Sequence, residues 1–362
     1  MHIITEAKPG ARHQILPLLI FSCGLITGIT QADTAIPAGW RLSMDNDVIA
    51  PNNNDRDYTG GISFIYSSAS PATGLSRPPR ISLDAAIGFI EQTLDRPGET
   101  PRRTFYATEA GMSVFTPEDT QRHAAVYDDR PYASLLFLSS SRQTLSANGR
   151  QAITQTFTIG ALGLVVSADV QNALHRQFGI ATAKGWDYQI SADGEPTLRY
   201  SRSRQTLHWA HKSTHGMDYD LSSTFKGNLG YLTDLGWGIS GRLGRINSPW
   251  WSHNPLLEEY AERGTAHATH GASRRQFYLW GGLFVRARVY NALLQGQFRD
   301  NAVDYSHAQL NPLIATAWLG LDYVLAGNIR LSYSWHGQTS EIRHGRGNRF
   351  MNWGTFSIAR NF

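Results

Sequence analysis

Cysteine is almost absent from this chain: the one copy among 362 residues, Cys23, lies in an apolar stretch near the N-terminus. If that stretch is removed on export, the mature protein holds no thiol, and disulfides, thiolate catalysis and cysteine-metal centres are all excluded. Charge is scarce too, at 17% of residues. Past residue 40 no window approaches the roughly 20 apolar residues that a membrane-spanning helix needs. Lysine is missing altogether between Lys8 and Lys184. With a net charge of +4 but no lysine-rich tract, zinc-finger spacing or helix-turn-helix pattern, nucleic acid is not expected as a partner. The basic balance suits anionic glycolipid phosphates equally well.

What the chain has instead is glycine and aromatic residues: 34 Gly, 10 Trp, 15 Tyr and 15 Phe. Its mean hydropathy is slightly negative. A chain so composed enters a membrane only as a closed barrel, in which each strand hides its polar half inside.

The first residues predict a secretory signal over 1–32. Lys8, Arg12 and His13 form a positive segment, Ile15 to Ile29 an apolar one, and Thr30-Gln31-Ala32 a cleavage site before Asp33. Residues 33–362 then form one domain, with no repeat or low-complexity linker.

After residue 40 the dominant period is two. Ile329-Arg330-Leu331-Ser332-Tyr333-Ser334-Trp335-His336 alternates without a break, and Trp40, Leu42 and Met44 alternate with Arg41, Ser43 and Asp45. Residues 277–286 and 313–323 are further long candidates. Gly227, Asn228, Gly230, Gly236, Gly238 and Gly241 read as turn signals, and Ala326-Gly327-Asn328 as a hairpin. The chain ends on an alternating segment closed by Phe362, a common finish for barrels of bacterial outer membranes. These features predict an all-β, antiparallel transmembrane β-barrel of ten to fourteen strands. One segment breaks the alternation: Ser167 can cap a short helix near residues 167–178, with Gly179 as its stop. Gln171 and His175 then share one face, and Val170, Leu174 and Phe178 a neighbouring stripe.

Three polar clusters stand out. Asp45-Asn46-Asp47 closes the first strand, and Asn46 continues the Trp40, Leu42, Met44 side. If that side faces lipid, Asn46 points outward and needs cover. Asp57-Tyr58-Thr59-Gly60-Gly61 opens the next strand, and Gln171 with His175 occupies the helix. Taken singly, Asn-Asp and Asp-x-x-Gly are mostly turns, and a lone helical histidine is mostly structural.

In order along the chain, the pattern is more specific. Asn46-Asp47, Asp57-Tyr58-Thr59-Gly60, Phe115-Thr116-Pro117 with Asp129-Arg130-Pro131-Tyr132-Ala133, Val170-Gln171-Asn172-Ala173-Leu174-His175-Arg176 and Gly185-Trp186-Asp187-Tyr188-Gln189 make the chain resemble the outer-membrane lipid A 3′-O-deacylases, from about Trp40 to the C-terminus. The resemblance implies a twelve-stranded barrel in the cell outer membrane, with the active site between the wall and a surface helix. It also implies a calcium-dependent esterase that removes the 3′-linked acyloxyacyl group of lipid A. The family's site residues fall on Asn46, Asp47, Thr59, Gln171 and His175. The family also carries a loop lysine that this chain lacks, and Arg122 is the chosen replacement, with His123 and Arg130 nearby. A porin-like or inactive barrel is the alternative, and a monomer the expected state.

The expected chemistry follows from these residues. Neutral His175 takes a proton from water, and Asp47, with carbonyls or Thr59, holds calcium. Asn46 and Gln171 donate hydrogen bonds to water or oxyanion. A serine nucleophile among Ser63, Ser67 and Ser68 is the competing arrangement, although no Gly-x-Ser-x-Gly elbow is present. Arg102, Arg103 and Arg122 are the expected contacts for lipid A phosphates.

Overall fold

A computed structural model describes residues 38–50, 56–68, 103–179, 181–213, 217–253, 263, 275–325 and 328–361. The signal segment 1–32, Arg102 and the terminal Phe362 lie outside the described residues. The alternating segments become twelve strands: β1 (Gly39–Asn46), β2 (Asp57–Ser68), β3 (Arg103–Thr116), β4 (Ala133–Leu145), β5 (Gln151–Leu162) and β6 (Glu195–His211), then β7 (Asp218–Gly230), β8 (Leu232–Arg245), β9 (Gln276–Asn291), β10 (Leu313–Val324), β11 (Ile329–Gln338) and β12 (Met351–Asn361). Each pairs antiparallel with its sequence neighbours. Pairing of β1 with β12, Gly39 opposite Asn361, closes the barrel. Closure leaves no unpaired strand edge in the lipid, which is the condition for spanning a bilayer with strands.

The alternation fixes which side chains meet lipid. On β1, Arg41, Ser43 and Asp45 are buried in the lumen while Leu42 and Met44 stand exposed. Ile62, Phe64, Trp237, Leu279 and Leu319 continue the apolar exterior around the wall. Polar inside and apolar outside is the reverse of a soluble barrel, and it matches a lipid solvent.

The lumen is packed. At the end of the barrel remote from Gly39 and Asn361, the inward side chains Tyr58, Phe115, Leu135, Phe137, Tyr231 and Trp353 form one buried cluster. Buried ion pairs lie around it. Arg130 and Arg288 both bind Glu341, and Arg288 also reaches Asp234 at 2.9 Å. Deeper in, Arg263 holds Asp45, and the Tyr58 hydroxyl donates to the same carboxylate at 2.5 Å. Among the described residues the interior is therefore a plug, and a porin-like open channel finds no support.

The glycine signals need correction. Only Gly230 ends a strand, whereas Gly227, Gly236, Gly238 and Gly241 lie inside β7 and β8. A Cβ on Gly236 or Gly238 would meet the Phe284 ring at 2.3 and 2.6 Å. These glycines make room for an aromatic ring in the lumen, a common reason for glycine within a strand. Of the hairpin expected at Ala326-Gly327-Asn328, residues 326 and 327 lie outside the described residues; flanking them, Leu325 N–H donates to the Ile329 carbonyl at 2.8 Å.

Candidate active site on the outer wall

Between β5 and β6 the chain leaves the sheet and forms α1 (Val165–Phe178). Gly163 makes the exit, with φ +68°; a Cβ there would stand 2.0 Å from the Ser191 carbonyl oxygen. The helix begins two residues earlier than expected. Its N-cap is Leu164, with no side-chain hydrogen bond, and Ser167 is buried instead of capping. The stop falls where expected, at Gly179 with φ +70°. The side chains of Leu174 and Phe178 lie outside the described residues.

Ser167, Ala168, Gln171 and His175 are the buried stripe of α1, whereas Val165 and Val166 are 58% and 46% exposed. Ala168 packs with Met112 and Val114, which by parity are outward residues of β3. The helix thus lies on the outer wall with its polar side toward the sheet and its valines toward lipid. In water this arrangement would be inside out; in a bilayer it is the stable one.

The opposing wall is built by the first three strands. Asn46 points outward, as its parity predicts. Its amide donates to the Thr59 carbonyl at 2.9 Å and accepts from Val48 N–H at 2.8 Å, so it braces the β1–β2 turn. Nδ2 carries two hydrogens, and the second has no partner among the described residues. Pairing between β2 and β3 slips between Tyr58 and Gly60. This bulge turns the Thr59 hydroxyl to the outer side, where it lies 2.6 Å from the Thr116 hydroxyl. One hydroxyl of such a pair donates, which leaves the other's hydrogen for a ligand. Asp57 and Tyr58, in the same motif, face the lumen. Asp57 takes two hydrogen bonds from Arg349, at 2.8 and 3.0 Å.

Two contacts fix the helix residues chemically. The Trp186 indole N–H donates to Gln171 Oε1 at 3.1 Å. An indole can only donate, so the Gln171 amide orientation is settled. Its Nε2 group is buried, with no hydrogen-bond partner among the described residues. A buried unmet donor costs roughly 1–3 kcal/mol, so it is a donor held ready. His175 Nδ1 lies 2.8 Å from the Ala181 carbonyl. A carbonyl only accepts, so Nδ1 carries the proton and Nε2 is the basic nitrogen. Asn172 locks the same segment, binding both N–H and carbonyl of Ala183 at 2.8 and 3.2 Å.

Thr59, Thr116 and Val114 thus share the wall surface on which α1 and Trp186 sit. Asp47 closes the adjoining turn, buried, with its carboxylate accepting from Arg56 N–H at 2.6 Å. Arg122 is not drawn in: its side chain is half exposed and faces Asp128 at 4.0 Å. A lysine does stand beside that loop, because Lys184 N–H donates to the Thr120 carbonyl at 2.9 Å. Arg103 and Arg122 do not share a patch. Arg103 starts β3 and Arg122 follows its far end, about 40 Å away at strand rise. Arg176, Arg299, Arg343 and Arg346 are exposed, like Arg122.

The serine alternatives fail on geometry. Ser63 and Ser67 face the lumen, buried. Ser68 pairs with Tyr106 at the opposite end of β2, roughly 30 Å from Thr59. Residues that sequence reasoning left without a role include Trp186, Thr116 and Tyr132. The Tyr132 hydroxyl donates to the Thr120 carbonyl at 3.1 Å, and its ring packs 4.9 Å from Trp186. Their only sequence signal is membership of the quoted motifs.

The model of the family described as outer membrane protein LpxR matches residues 18–362. Among solved structures, LpxR from Salmonella typhimurium superposes with a TM-score of 0.68 at 19% identity, over 90% of this chain and all of that one. The β domain of the Bordetella autotransporter BrkA gives 0.41 at 8% identity, over 90% of this chain and 100% of that one. No curated protein sequence matches. The chain belongs to the LpxR family of outer-membrane proteins, lipid A 3′-O-deacylases that hydrolyse an ester bond.

Proposed function

We propose that hydrolysis of the 3′-linked acyloxyacyl ester takes place between α1 and the outer wall, with His175 as general base and calcium as cofactor. The supporting observation is the polar stripe of α1 turned against the sheet, with the Gln171 Nε2 donor held in reserve by Trp186. His175 Nε2 takes a proton from water as the water oxygen attacks the acyl carbonyl carbon. Gln171 and the second N–H of Asn46 donate to the negative charge that develops on the carbonyl oxygen. The Thr59–Thr116 hydroxyl pair supplies one further donor. Collapse of the intermediate returns the proton to the departing sugar oxygen. A site on the lipid-facing wall receives this ester without the substrate leaving its leaflet.

The oxygen donors at the β1–β2 turn suit calcium. No group of three or more His, Cys, Asp and Glu placed to hold a metal occurs among the described residues. Asp47 offers one buried carboxylate, and the described part of the β1–β2 turn offers carbonyl oxygens, the hard donors calcium prefers. Calcium, when bound, would polarise the carbonyl being attacked. Arg122 stays a candidate for meeting substrate phosphate from the loop. Replacing Asp47 by Asn is expected to raise the calcium concentration for half-maximal deacylation by roughly 10–100-fold. The measurement is activity of the purified protein titrated with buffered calcium. Full activity in excess chelator would reject calcium as cofactor.

A further inference from the structure

A second feature of the outer wall lies beside α1 and is not part of the chemistry described above. The β7–β8 hairpin stops short: its first pairing with β6 joins Arg199 to Gly230, so residues 195–198 of β6 rise above it. Beside this step lies a cavity of about 1100 Å³, slightly above the roughly 300–1,000 Å³ usual for small-ligand sites. Leu136, Leu138, Ile159, Ala161, Pro196 and Leu198 line it. Register places these six on one side of the sheet, with Leu138 opposite Ile159, Leu136 opposite Ala161, and Ile159 and Ala161 opposite Leu198 and Pro196. Leu136, Ile159 and Leu198 are exposed, so this is the lipid side.

The segment after α2 (Ala292–Gln295) forms a lip on the cavity. The Gln297 side chain donates to the Pro196 carbonyl at 3.1 Å and accepts from the Thr197 hydroxyl. Phe298 N–H donates to the Glu195 carboxylate at 2.7 Å. The backbone is therefore tied down, yet the Phe298 ring is 86% exposed. A large apolar ring fixed at an apolar cleft on a membrane-facing wall is placed to touch hydrocarbon. The cleft also lies near the start of α1, since Ala161 is four residues before Val165, where the helix begins.

The geometry points to this cleft as a binding groove for an acyl chain of the lipid substrate, with Phe298 as its lip. The groove rests on the proposed deacylation, and it would select substrates by chain length. Small Ala161 opposite Leu136 keeps it open, and a larger side chain there would fill it from the lipid side without entering the lumen.

The test compares parent, Ala161→Phe and Phe298→Ala proteins, each checked for barrel closure by heat-shifted gel mobility, on lipid A with natural or shortened acyl chains. Ala161→Phe is expected to lower kcat/KM on the long-chain substrate roughly tenfold or more, and on the short-chain one by less than about twofold. Phe298→Ala, on an exposed lip, should move the same ratio in the same direction. An unchanged long-to-short ratio in both variants would overturn the groove. Failure of the parent to cleave lipid A would count against the proposed reaction instead. The groove is then read by cross-linking the parent with lipid A carrying a photoreactive acyl terminus. Labelling concentrated in 136–138, 159–161 and 196–198 supports it, and labelling spread evenly around the wall refutes it.

Discussion

Replacing His175 by Ala is expected to lower the deacylation rate about 10²–10⁴-fold, the usual cost of losing a general base, while the barrel still folds. The geometry separates these two effects. Among its contacts, the ring gives one hydrogen bond to the Ala181 carbonyl, whereas α1 is seated by Ala168 in its apolar cluster and by Asn172 on Ala183. Gln171→Ala should cost less, because it removes a donor and leaves the base in place. Trp186 acts through Gln171 and is a positioning residue: Trp186→Phe keeps the packing with Tyr132 and frees the amide to flip. Rates on purified lipid A in detergent, beside gel mobility of the unheated protein, give both readouts. A His175→Ala protein that cleaves at the parent rate would remove the histidine from the mechanism.

The largest expected stability effect lies on the other side of the wall. Glu341→Ala should destabilise the folded barrel by about 3–5 kcal/mol, because it strips a buried carboxylate from two buried arginines. Glu341 binds both Arg130 and Arg288, and Arg130 also stacks 5.1 Å from the Phe115 ring centroid. Burial opposes ionisation of Glu341, but the two guanidiniums prevail and hold its carboxyl below the ordinary carboxylate range. The sign follows: this stability is present above about pH 4.3, the unfolded value, and is lost as pH falls through the lower folded value. Urea titrations in lipid vesicles over a pH series measure it. Glu341→Gln should flatten the acid limb, and an unaltered acid limb would assign that limb to other carboxylates.

Much of the fold is legible in the sequence because strand parity has only two states. The Trp40, Leu42, Met44 side of β1 predicts Asn46 outward, and it is outward. The same parity could not place Thr59, because a bulge adds one residue and reverses the face, and nothing local in Asp57-Tyr58-Thr59-Gly60 separates a bulge from a regular strand. Inside one motif, therefore, Asp57 and Tyr58 face the lumen while Thr59 faces the outer wall. Asp129-Arg130-Pro131-Tyr132-Ala133 divides likewise: Arg130 plugs the barrel, and Tyr132 backs Trp186 on the outside. The glycines of β7 and β8 misled as turns because sequence does not show the Phe284 ring packed against them. The absent loop lysine was visible. Lys184 beside the same loop was not, because a backbone contact between 120 and 184 has no sequence periodicity.

The central claim is that α1 and the outer wall enclose a lipid A deacylase site served by His175. Mass spectrometry of lipid A from cells producing the parent chain or the His175→Ala chain, at equal amounts of folded barrel, tests it most directly. The parent should yield lipid A lacking the 3′-linked acyloxyacyl group, and the variant should yield intact lipid A. Intact lipid A from both, or equal deacylation by both, would contradict it.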